Sequence, residues 1–314
     1  DPGKFSLNVV DRDQKIIFSN FQIAYHATTH SIPESSGIAV LTPDGAIVYA
    51  TDFTFDQNVG NFYQTDFHKL TEYREYGVLA LLCESTGSLT IGHSTSDYNL
   101  FRTIRETFEN AKGRIVVAMY STEIAHIQRI IDEAIKIGKR ISIIGRRAQR
   151  MVDIGETMGY IRIPKEKLVN LKYLDEENTN EFPDVVFLVT GERHEPFFML
   201  QRMCKGFDRL LKLNGRDTIL LMCPPIVGTE KIAAKTYDAL YRLEAKVVKV
   251  DKKMLPPAHA SMEDIKMMYT FLTPKYIIPI TGEYRYLQAQ HDLAIEYGSR
   301  TKRHPDRQRR SHHV

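Results

Sequence analysis

Residues 29–53 read THSIPESSGIAVLTPDGAIVYATDF, and this stretch decides how the first hundred residues fold. Two apolar runs, SGIAVL and AIVYA, are joined by TPDG at positions 42–45, and Pro, Asp and Gly are typical turn residues. The pattern therefore predicts a β-hairpin. His30 stands just before the hairpin and Asp52 stands just after it. Because imidazole and carboxylate groups bind metal ions, both residues are candidate metal ligands.

The composition indicates a globular protein. The chain has 314 residues, 43% of them hydrophobic, which is enough apolar material for a sizeable core. No apolar run reaches the roughly 18 residues of a membrane span, and no secretory leader opens the sequence. The three cysteines lie far apart, which favours buried thiols in a reducing compartment over a disulfide framework. We therefore expect a cytoplasmic protein with no membrane contact.

The positive charge is concentrated at the end of the sequence. The last 16 residues, SRTKRHPDRQRRSHHV, contain six Lys/Arg and one Asp, a local charge of +5 within a total of +3. The rest of the chain is close to neutral, so its charge does not demand a nucleic-acid ligand. The tail could bind phosphate, but its low apolar content favours disorder or a remnant segment.

From about residue 97 the pattern changes to alternating strands and helices. Leu100, Ile104 and Phe108 recur at four-residue spacing, which predicts a helix, and the apolar run RIVVAMYS that follows predicts a strand. Similar pairs continue to the last helix, through EYRYLQAQHDLAIEYG. This alternation predicts an α/β architecture with a mostly parallel sheet. The polar stretch 164–184 is expected to lie on the surface.

Several strings together carry a family resemblance. They are the opening stretch, GVLALLCESTGS (77–88), VTGERHEP (189–196), PPIVGTE (224–230) and KYIIPITGEYRYL (275–287). In this order they resemble the bacterial ribonuclease J group, the β-CASP branch of the metallo-β-lactamase superfamily. The resemblance covers nearly all of residues 5–298.

The resemblance implies a fold and a domain organisation. It implies a metallo-β-lactamase αββα sandwich, with its N-terminal part missing, and an inserted β-CASP domain of parallel-sheet α/β type. The sandwich would comprise residues 1–100 and a return segment at 245–298, and the β-CASP domain would comprise 101–244. Residues 299–314 would be the basic tail. In the family, two zinc ions at the sandwich edge hold a hydroxide that attacks a phosphodiester of RNA.

Four residues match functional positions of the family. His30 matches a zinc-binding histidine, and Asp52 matches an aspartate that bridges both metals. Glu84 falls on the acidic residue of an Asp-Ser-Thr string. His259 aligns with a histidine that stabilises the scissile phosphate. Each also has a plainer interpretation: His30 as a loop histidine, Asp52 as a turn residue, Glu84 as a partner of nearby backbone, and His259 as the start of a helix.

The match to the zinc ligands is incomplete. Thr281 stands where the family has a zinc-binding histidine, and a neutral hydroxyl is a poor zinc ligand. The family's His-x-His-x-Asp-His string is expected well before His30 and does not occur in these residues. The sequence therefore predicts a chain that does not hold the dinuclear zinc centre, so that zinc occupancy is doubtful.

The RNA-binding strings are also altered. The string STEIAH, which begins at Ser121, and the string GERHEP, which contains Arg193, carry carboxylates where the family has uncharged groups. A carboxylate repels phosphate, so the 5′-phosphate pocket is expected to be weakened. Ser121, Arg146, Arg147 and Arg193 are the predicted RNA and phosphate contacts, the three arginines because guanidinium groups suit phosphate. The alternative for Arg146 and Arg147 is a solvated strand end.

Two functional hypotheses follow from the resemblance. In the first, the chain is a ribonuclease J-like protein that is weak or inactive as a nuclease and acts by binding RNA, as a homodimer, or with an active paralogue. In the second, it belongs to an active zinc-dependent 5′–3′ exo- and endoribonuclease whose His-x-His-x-Asp-His segment lies upstream. A metal-free or one-metal hydrolase of the same superfamily is a third and weaker idea.

Overall fold

A computed structural model describes residues 3, 6, 8–56, 61–94, 98–169, 183–255, 257–298 and 300–301. The strands are β1 (Ile16–Ile17), β2 (Gln22–Ala27), β3 (Ser36–Thr42), β4 (Gly45–Ala50), β5 (Val78–Glu84), β6 (Ile115–Tyr120), β7 (Arg140–Ile144), β8 (Val185–Gly191), β9 (Thr218–Leu221), β10 (Lys246–Lys249), β11 (Tyr276–Ile280) and β12 (Arg300–Thr301). The helices are α1 (Phe67–Tyr76), α2 (Tyr98–Glu109), α3 (Ile124–Lys136), α4 (Arg146–Thr157), α5 (Glu195–Cys204), α6 (Glu230–Arg242), α7 (Met262–Leu272) and α8 (Tyr284–Glu296).

The chain divides into two compact units. Unit 1 takes in the described residues of 1–30, 34–95 and 257–314, and unit 2 takes in those of 31–33 and 96–256. None of the helices in the described ranges combines the length and the apolar character that a membrane span requires.

Unit 1 is built on a seven-stranded sheet in the order β1-β2-β3-β4-β5-β11-β12. The predicted hairpin is present: β3 and β4 pair antiparallel, with Thr42 opposite Gly45, and the Thr42 hydroxyl donates to the Gly45 carbonyl at 2.8 Å. The sheet then continues with parallel strands, because β5 pairs parallel with both β4 and β11. The predicted buried strand at GVLALLCES is β5.

The two faces of this sheet differ in burial. Helices α1, α7 and α8 cover one face, where Leu70, Tyr269 and Leu81 are fully buried. Apolar side chains on the opposite face remain partly exposed, among them Ile38 and Tyr49. Strand residues alternate between the two faces, and an apolar face of this kind is typical of a sheet that packs against a further layer. The described residues of unit 1 supply one sheet of the expected sandwich.

Unit 2 contains the predicted parallel sheet. Its five strands, in the order β10-β9-β6-β8-β7, are all parallel. Every residue of the interior strand β8 is buried, because helices cover both faces of the sheet. Helices α2, α3 and α4 pack on one face, with Leu100, Ile104 and Ile127 in the core, and α5 and α6 pack on the other.

The structure bears on several sequence expectations. Helices α1, α4 and α5 were not predicted; α4 begins at Arg146, so the predicted strand end there is the first turn of a helix. The tail was expected to be disordered from residue 299, yet Arg300–Thr301 pair with Tyr276–Ile277, because the edge of β11 offers unpaired backbone groups. The rest of the tail, and most of the polar stretch at 170–182, lie outside the described residues. The proposed boundary at residue 245 stays a prediction; in the structure Lys246–Lys249 pair with β9.

Candidate functional site

The candidate site of unit 1 lies at one edge of the seven-stranded sheet. Glu84 ends β5, Asp52 follows β4 by two residues, and Thr281 follows β11 directly. Because β4, β5 and β11 are parallel neighbours, their carboxyl ends meet at the same edge. Strand β2 is antiparallel to β3 and therefore runs in the direction of β4, so His30 reaches this edge as well. The topology thus gathers residues that are far apart in sequence.

His259 and Glu84 form a short polar contact at the site. Nδ1 of His259 lies 2.6 Å from Oε2 of Glu84, whose side chain is fully buried. The other carboxylate oxygen, Oε1, accepts the backbone amide of Phe53 at 2.8 Å. Since a carboxylate only accepts, Nδ1 of His259 carries the proton, which fixes the ring orientation and leaves Nε2 as the other polar atom of the ring. Glu84 therefore holds nearby backbone, as its plainer interpretation predicts, and also positions His259.

The electrostatic environment favours the charged form of His259. The hydrogen bond with Glu84 raises the pKa of the His259 imidazole above its ordinary value; partial burial opposes this effect, and the negative charges of Glu84 and Asp52 add to it. Asp52 contributes from 3.5 Å. A positioned imidazolium is suited to an anion such as phosphate.

His30 and Asp52 form a second pair. Nδ1 of His30 lies 3.1 Å from the carbonyl oxygen of Ala258 and donates to it, so Nε2 keeps its lone pair in the neutral ring. Nε2 lies 4.0 Å from Oδ2 of Asp52. Two ligand atoms of one tetrahedral zinc ion, each roughly 2.0–2.2 Å from the metal, lie about 3.4 Å apart. The pair therefore has the donor types of two metal ligands and a separation somewhat wider than one ion requires.

Thr281 lies beside this pair and carries a hydroxyl group instead of an imidazole. Its hydroxyl oxygen is 3.5 Å from that of Thr51, which in turn donates to Oδ1 of Asp52 at 3.1 Å. The backbone of Thr281 has a positive φ of 53°, which is rare for a β-branched residue. Its carbonyl accepts the hydroxyl of Ser85 at 2.6 Å and the amide of Ser85 at 3.1 Å, which hold the turn in place.

Three residues of the site have the donor types of a metal-binding group. Asp52, Glu84 and His259 have ligand-type atoms within 4.8 Å of one another, which makes them a possible metal-binding group. Glu84 and His259, however, already use the facing atoms in their own 2.6 Å hydrogen bond, which a metal would have to replace. Among the described residues, Nε2 of His30, Nε2 of His259 and the carboxylate of Asp52 lie outside that hydrogen bond. Zinc takes about three protein ligands in catalytic sites, so a second ion would need further ligands.

Two residues that sequence reasoning missed hold the loops of the site. Asp264 accepts hydrogen bonds from His93, Ser94 and Ser261, and thereby joins the loop after β5 to the start of α7. Gly87 packs so closely that a Cβ atom there would lie 2.0 Å from the carbonyl oxygen of Ala260. The Ser-x-x-Asp spacing of a helix capping box was the available signal for Asp264. Nothing in the local sequence marks Gly87.

Unit 2 places Arg146 at the rim of a cleft. This cleft, of ≈ 330 Å³, lies at the carboxyl ends of β7 and β8 and is lined in part by Gly145, Arg146, Thr190 and Arg202. Thr190 is 2% exposed, and its hydroxyl has no hydrogen-bond partner within the described parts of the chain. Arg146 is exposed at the first residue of α4, where backbone N–H groups favour anions. The carboxylate of Glu195 also lines the cleft, so an anionic group there would meet it beside the two arginines.

The other predicted phosphate contacts differ in how exposed they are to solvent. Arg193 is exposed in the loop after β8 and has a positive φ of 48°. Ser121 differs, because it is only 3% exposed; its amide donates to the carbonyl of Gly191 at 3.1 Å. Arg147 lies in α4, and its side chain is outside the described part of the structure.

Two family models match the chain. Residues 112–240 match the family described as "Ribonuclease J, beta-CASP domain", and residues 257–304 match the "Zn-dependent metallo-hydrolase RNA specificity domain". Together with the mixed α/β architecture and its parallel sheet, these matches establish the metallo-β-lactamase superfamily fold.

Similarity to curated relatives identifies the family of the chain. The chain is 32% identical over 289 residues to Ribonuclease J 2 of Staphylococcus aureus (strain NCTC 8325 / PS 47), an alignment that covers 92% of this chain and 51% of that protein. It is 31% identical over the same length to Ribonuclease J 2 of Staphylococcus epidermidis. The chain thus spans about half the length of the curated relatives it matches. It belongs to the ribonuclease J family.

A solved structure supports the fold alone. A protein of unknown function from Enterococcus faecalis V583 matches with a TM-score of 0.63 at 15% sequence identity, covering 96% of this chain and 66% of that one.

Proposed function

We propose that this chain is an RNA-processing protein of the ribonuclease J family whose own residues form an incomplete dinuclear zinc site. It is weak or inactive as a nuclease and acts by binding RNA or by supporting an active paralogue. The sequence matches show the family of the chain, and its activity, its zinc content and its partners are proposed.

The observation that carries the proposal is the donor set. His30 and Asp52 lie 4.0 Å apart with their ligand atoms facing each other. Thr281 occupies the position of the family's further zinc-binding histidine and supplies only a hydroxyl. Because the fully buried Glu84 is committed to His259 and to the amide of Phe53, it adds no third ligand.

The second support is a set of exposed or positioned cationic groups that suit phosphate. His259 is positioned by Glu84 and favours the imidazolium form, which can hold a phosphate oxygen without attacking it. Arg146 and Arg193 are exposed and supply guanidinium groups in unit 2. A protein with phosphate donors and few metal ligands can bind RNA more readily than it can cleave it.

One observation favours a second candidate function. The facing atoms of His30 and Asp52 lie 4.0 Å apart and have the donor types of metal ligands, and the chain covers 51% of the S. aureus relative. In this alternative, a His-x-His-x-Asp-His segment upstream supplies the missing ligands, and the whole protein is an active zinc-dependent 5′–3′ exo- and endoribonuclease. An upstream reading frame with this string would favour the alternative.

Metal analysis of the purified chain tests the proposal. After dialysis against zinc, mass spectrometry should find far less than one ion per chain, and 5′-monophosphorylated RNA should stay intact with zinc or manganese. A zinc content of about two per chain, together with metal-dependent degradation of the RNA, would overturn the proposal. The variant Asp52→Asn is the matched control, because any zinc bound at this site should depend on that carboxylate.

The proposal also covers the cellular location and the oligomeric assembly of the protein. We place it in the cytoplasm, since its three cysteines are free thiols and none of its described helices can span a membrane. It would act there on RNA, as a homodimer or as a heteromer with a paralogue of the family. Size-exclusion chromatography with light scattering, alone and with a catalytically active paralogue, distinguishes these assemblies.

A further inference from the structure

A large cationic cleft lies at the amino ends of the parallel strands of unit 2, at the opposite end of the sheet from Arg146. It has a volume of ≈ 1140 Å³. Its walls come from the segments that lead into β6, β8 and β9 and from the first residue of β10. We propose that this cleft, which is called the basal cleft below, binds the phosphodiester backbone of RNA. The choice of RNA as the polyanion rests on the proposed function; the cleft itself is independent of the zinc site.

The floor of the basal cleft is a buried ion pair. Arg114 donates from Nε to Oδ1 of Asp217 at 2.7 Å and from Nη2 to Oδ2 at 2.8 Å. Both side chains are at most 4% exposed. Asp217 also accepts the amide of Asn214 at 2.8 Å, and the guanidinium of Arg114 donates to the carbonyl of Lys212 at 2.8 Å. The negative charge of Asp217 is therefore already balanced by Arg114.

The rim of the basal cleft carries three further cations. Lys112, Arg216 and Lys246 line it and are exposed, and within the described ranges of the chain none of them forms an ion pair with a carboxylate. Four basic side chains and one acid line the cleft, which gives it a net charge of +3. Cations that converge on a concavity create a positive potential that attracts a polyanion.

Backbone packing keeps this arrangement in place. A Cβ atom at Gly113 would lie 2.4 Å from the carbonyl oxygen of Arg216, so the strand leading into β6 approaches the turn before β9 as only glycine permits. The amide of Thr218 donates to the carbonyl of Arg114 at 2.9 Å, and the amide of Lys246 donates to the carbonyl of Asp217 at 3.0 Å. The three rim cations are therefore attached to one rigid frame.

The chemistry of the lining selects the ligand. Ammonium and guanidinium groups at several positions match a row of phosphates, whereas an apolar ligand would desolvate these charges without pairing them. A single inorganic phosphate would engage one or two of the cations and leave much of the volume empty. A single RNA strand presents successive phosphates and can engage all three. The basal cleft is therefore suited to backbone binding without base readout.

RNA binding by charge-removing variants of the full chain tests the proposal. The triple variant Lys112→Gln, Arg216→Gln, Lys246→Gln removes the rim cations and leaves the buried pair of Arg114 and Asp217 intact. The matched control removes three exposed lysines outside the cleft, Lys205→Gln, Lys231→Gln and Lys235→Gln, and so makes the same change in net charge. Fluorescence anisotropy with a labelled single-stranded RNA measures the affinity over a range of salt concentrations.

The expected result is a specific loss of affinity and of salt dependence. Each phosphate contact on a single strand contributes about 0.7 to the slope of log K against log salt, so the triple variant should lower the slope by about 2. Its affinity should fall by at least about ten-fold at moderate salt, and the control variant should keep most of its affinity. Equal behaviour of the two triple variants would overturn the proposal for the basal cleft.

A second comparison separates this inference from the proposed function. If the variant Arg146→Gln, Arg193→Gln loses RNA binding while the basal-cleft variant keeps it, the proposed function stands and the further inference fails. If the wild-type chain binds no RNA at any salt concentration, the proposed function fails and the basal cleft has no RNA role. Circular dichroism of each variant confirms that folding is unchanged.

Discussion

Protonation of His26 should destabilise unit 1 in mild acid. His26 lies in β2 and is fully buried, with its ring edge-on to Tyr73 at a centroid distance of 5.6 Å. A Cβ atom at Gly37 would lie 2.2 Å from Nε2, so the ring lies directly against the neighbouring strand. Within the described residues neither ring nitrogen has a hydrogen-bond partner. Burial lowers the pKa of His26 from 6.5 to about 4, although the charge of Asp66 acts in the opposite direction.

The sign and size of the effect follow from these pKa values. The unfolded chain binds a proton near pH 6.5, whereas the folded chain binds it only near pH 4, so the unfolded state holds more protons between these values. The free energy of unfolding therefore falls as the pH drops from 6.5 towards 4, and it keeps its full value above pH 6.5. One pKa unit corresponds to about 1.4 kcal/mol, so His26 should account for a loss of about 3 kcal/mol.

Urea unfolding across this pH range is the assay. The variant His26→Leu replaces the ring by an apolar side chain that cannot be protonated, and His68→Gln removes an exposed histidine of the same unit as a control. Wild type and His68→Gln should lose about 3 kcal/mol more than His26→Leu between pH 6.5 and pH 4. If all three proteins show the same pH dependence, the argument from burial is wrong.

Three further predictions concern the site and the basal cleft. Gly87→Ala should lower the free energy of unfolding by about 1–3 kcal/mol and shift the nuclear magnetic resonance signals near Ala260, because the new Cβ atom has no room beside the Ala260 carbonyl. Unchanged urea midpoints and spectra would contradict this. Asp217→Ala should lower the free energy of unfolding by about 3–5 kcal/mol, because it leaves the charge of Arg114 buried and unpaired. In thermal unfolding, the double variant Asp217→Ala, Arg114→Met should recover part of that loss. Thr281→His should leave RNA cleavage by this chain unchanged in a metal-supplemented assay, because a single imidazole does not complete the two-zinc ligand set, and robust cleavage would refute the ligand argument.

The local pattern of the sequence was a reliable guide to most elements. The TPDG turn between alternating apolar residues predicted the hairpin of β3 and β4, and the four-residue spacing of Leu100, Ile104 and Phe108 predicted α2. Helices α1, α4 and α5 were missed, and two of these, α4 and α5, begin at strings dominated by other signals. In α4 the first residues are arginines, and in α5 the GERHEP motif runs into the first turn, so neither start carries the usual apolar spacing.

The sequence by itself determined most of the elements, the parallel character of the second sheet and the family, because these depend on patterns among residues that are close in the chain and on short strings in a fixed order. Only the tertiary structure decided what Glu84 does. Its partner His259 lies 175 residues away, and the carboxylate is fully buried between that ring and the amide of Phe53. The same holds for the ion pair of Arg114 and Asp217, 103 residues apart. Such contacts depend on how strands are ordered and registered in a sheet, and the packing of distant segments, rather than local periodicity, sets that order.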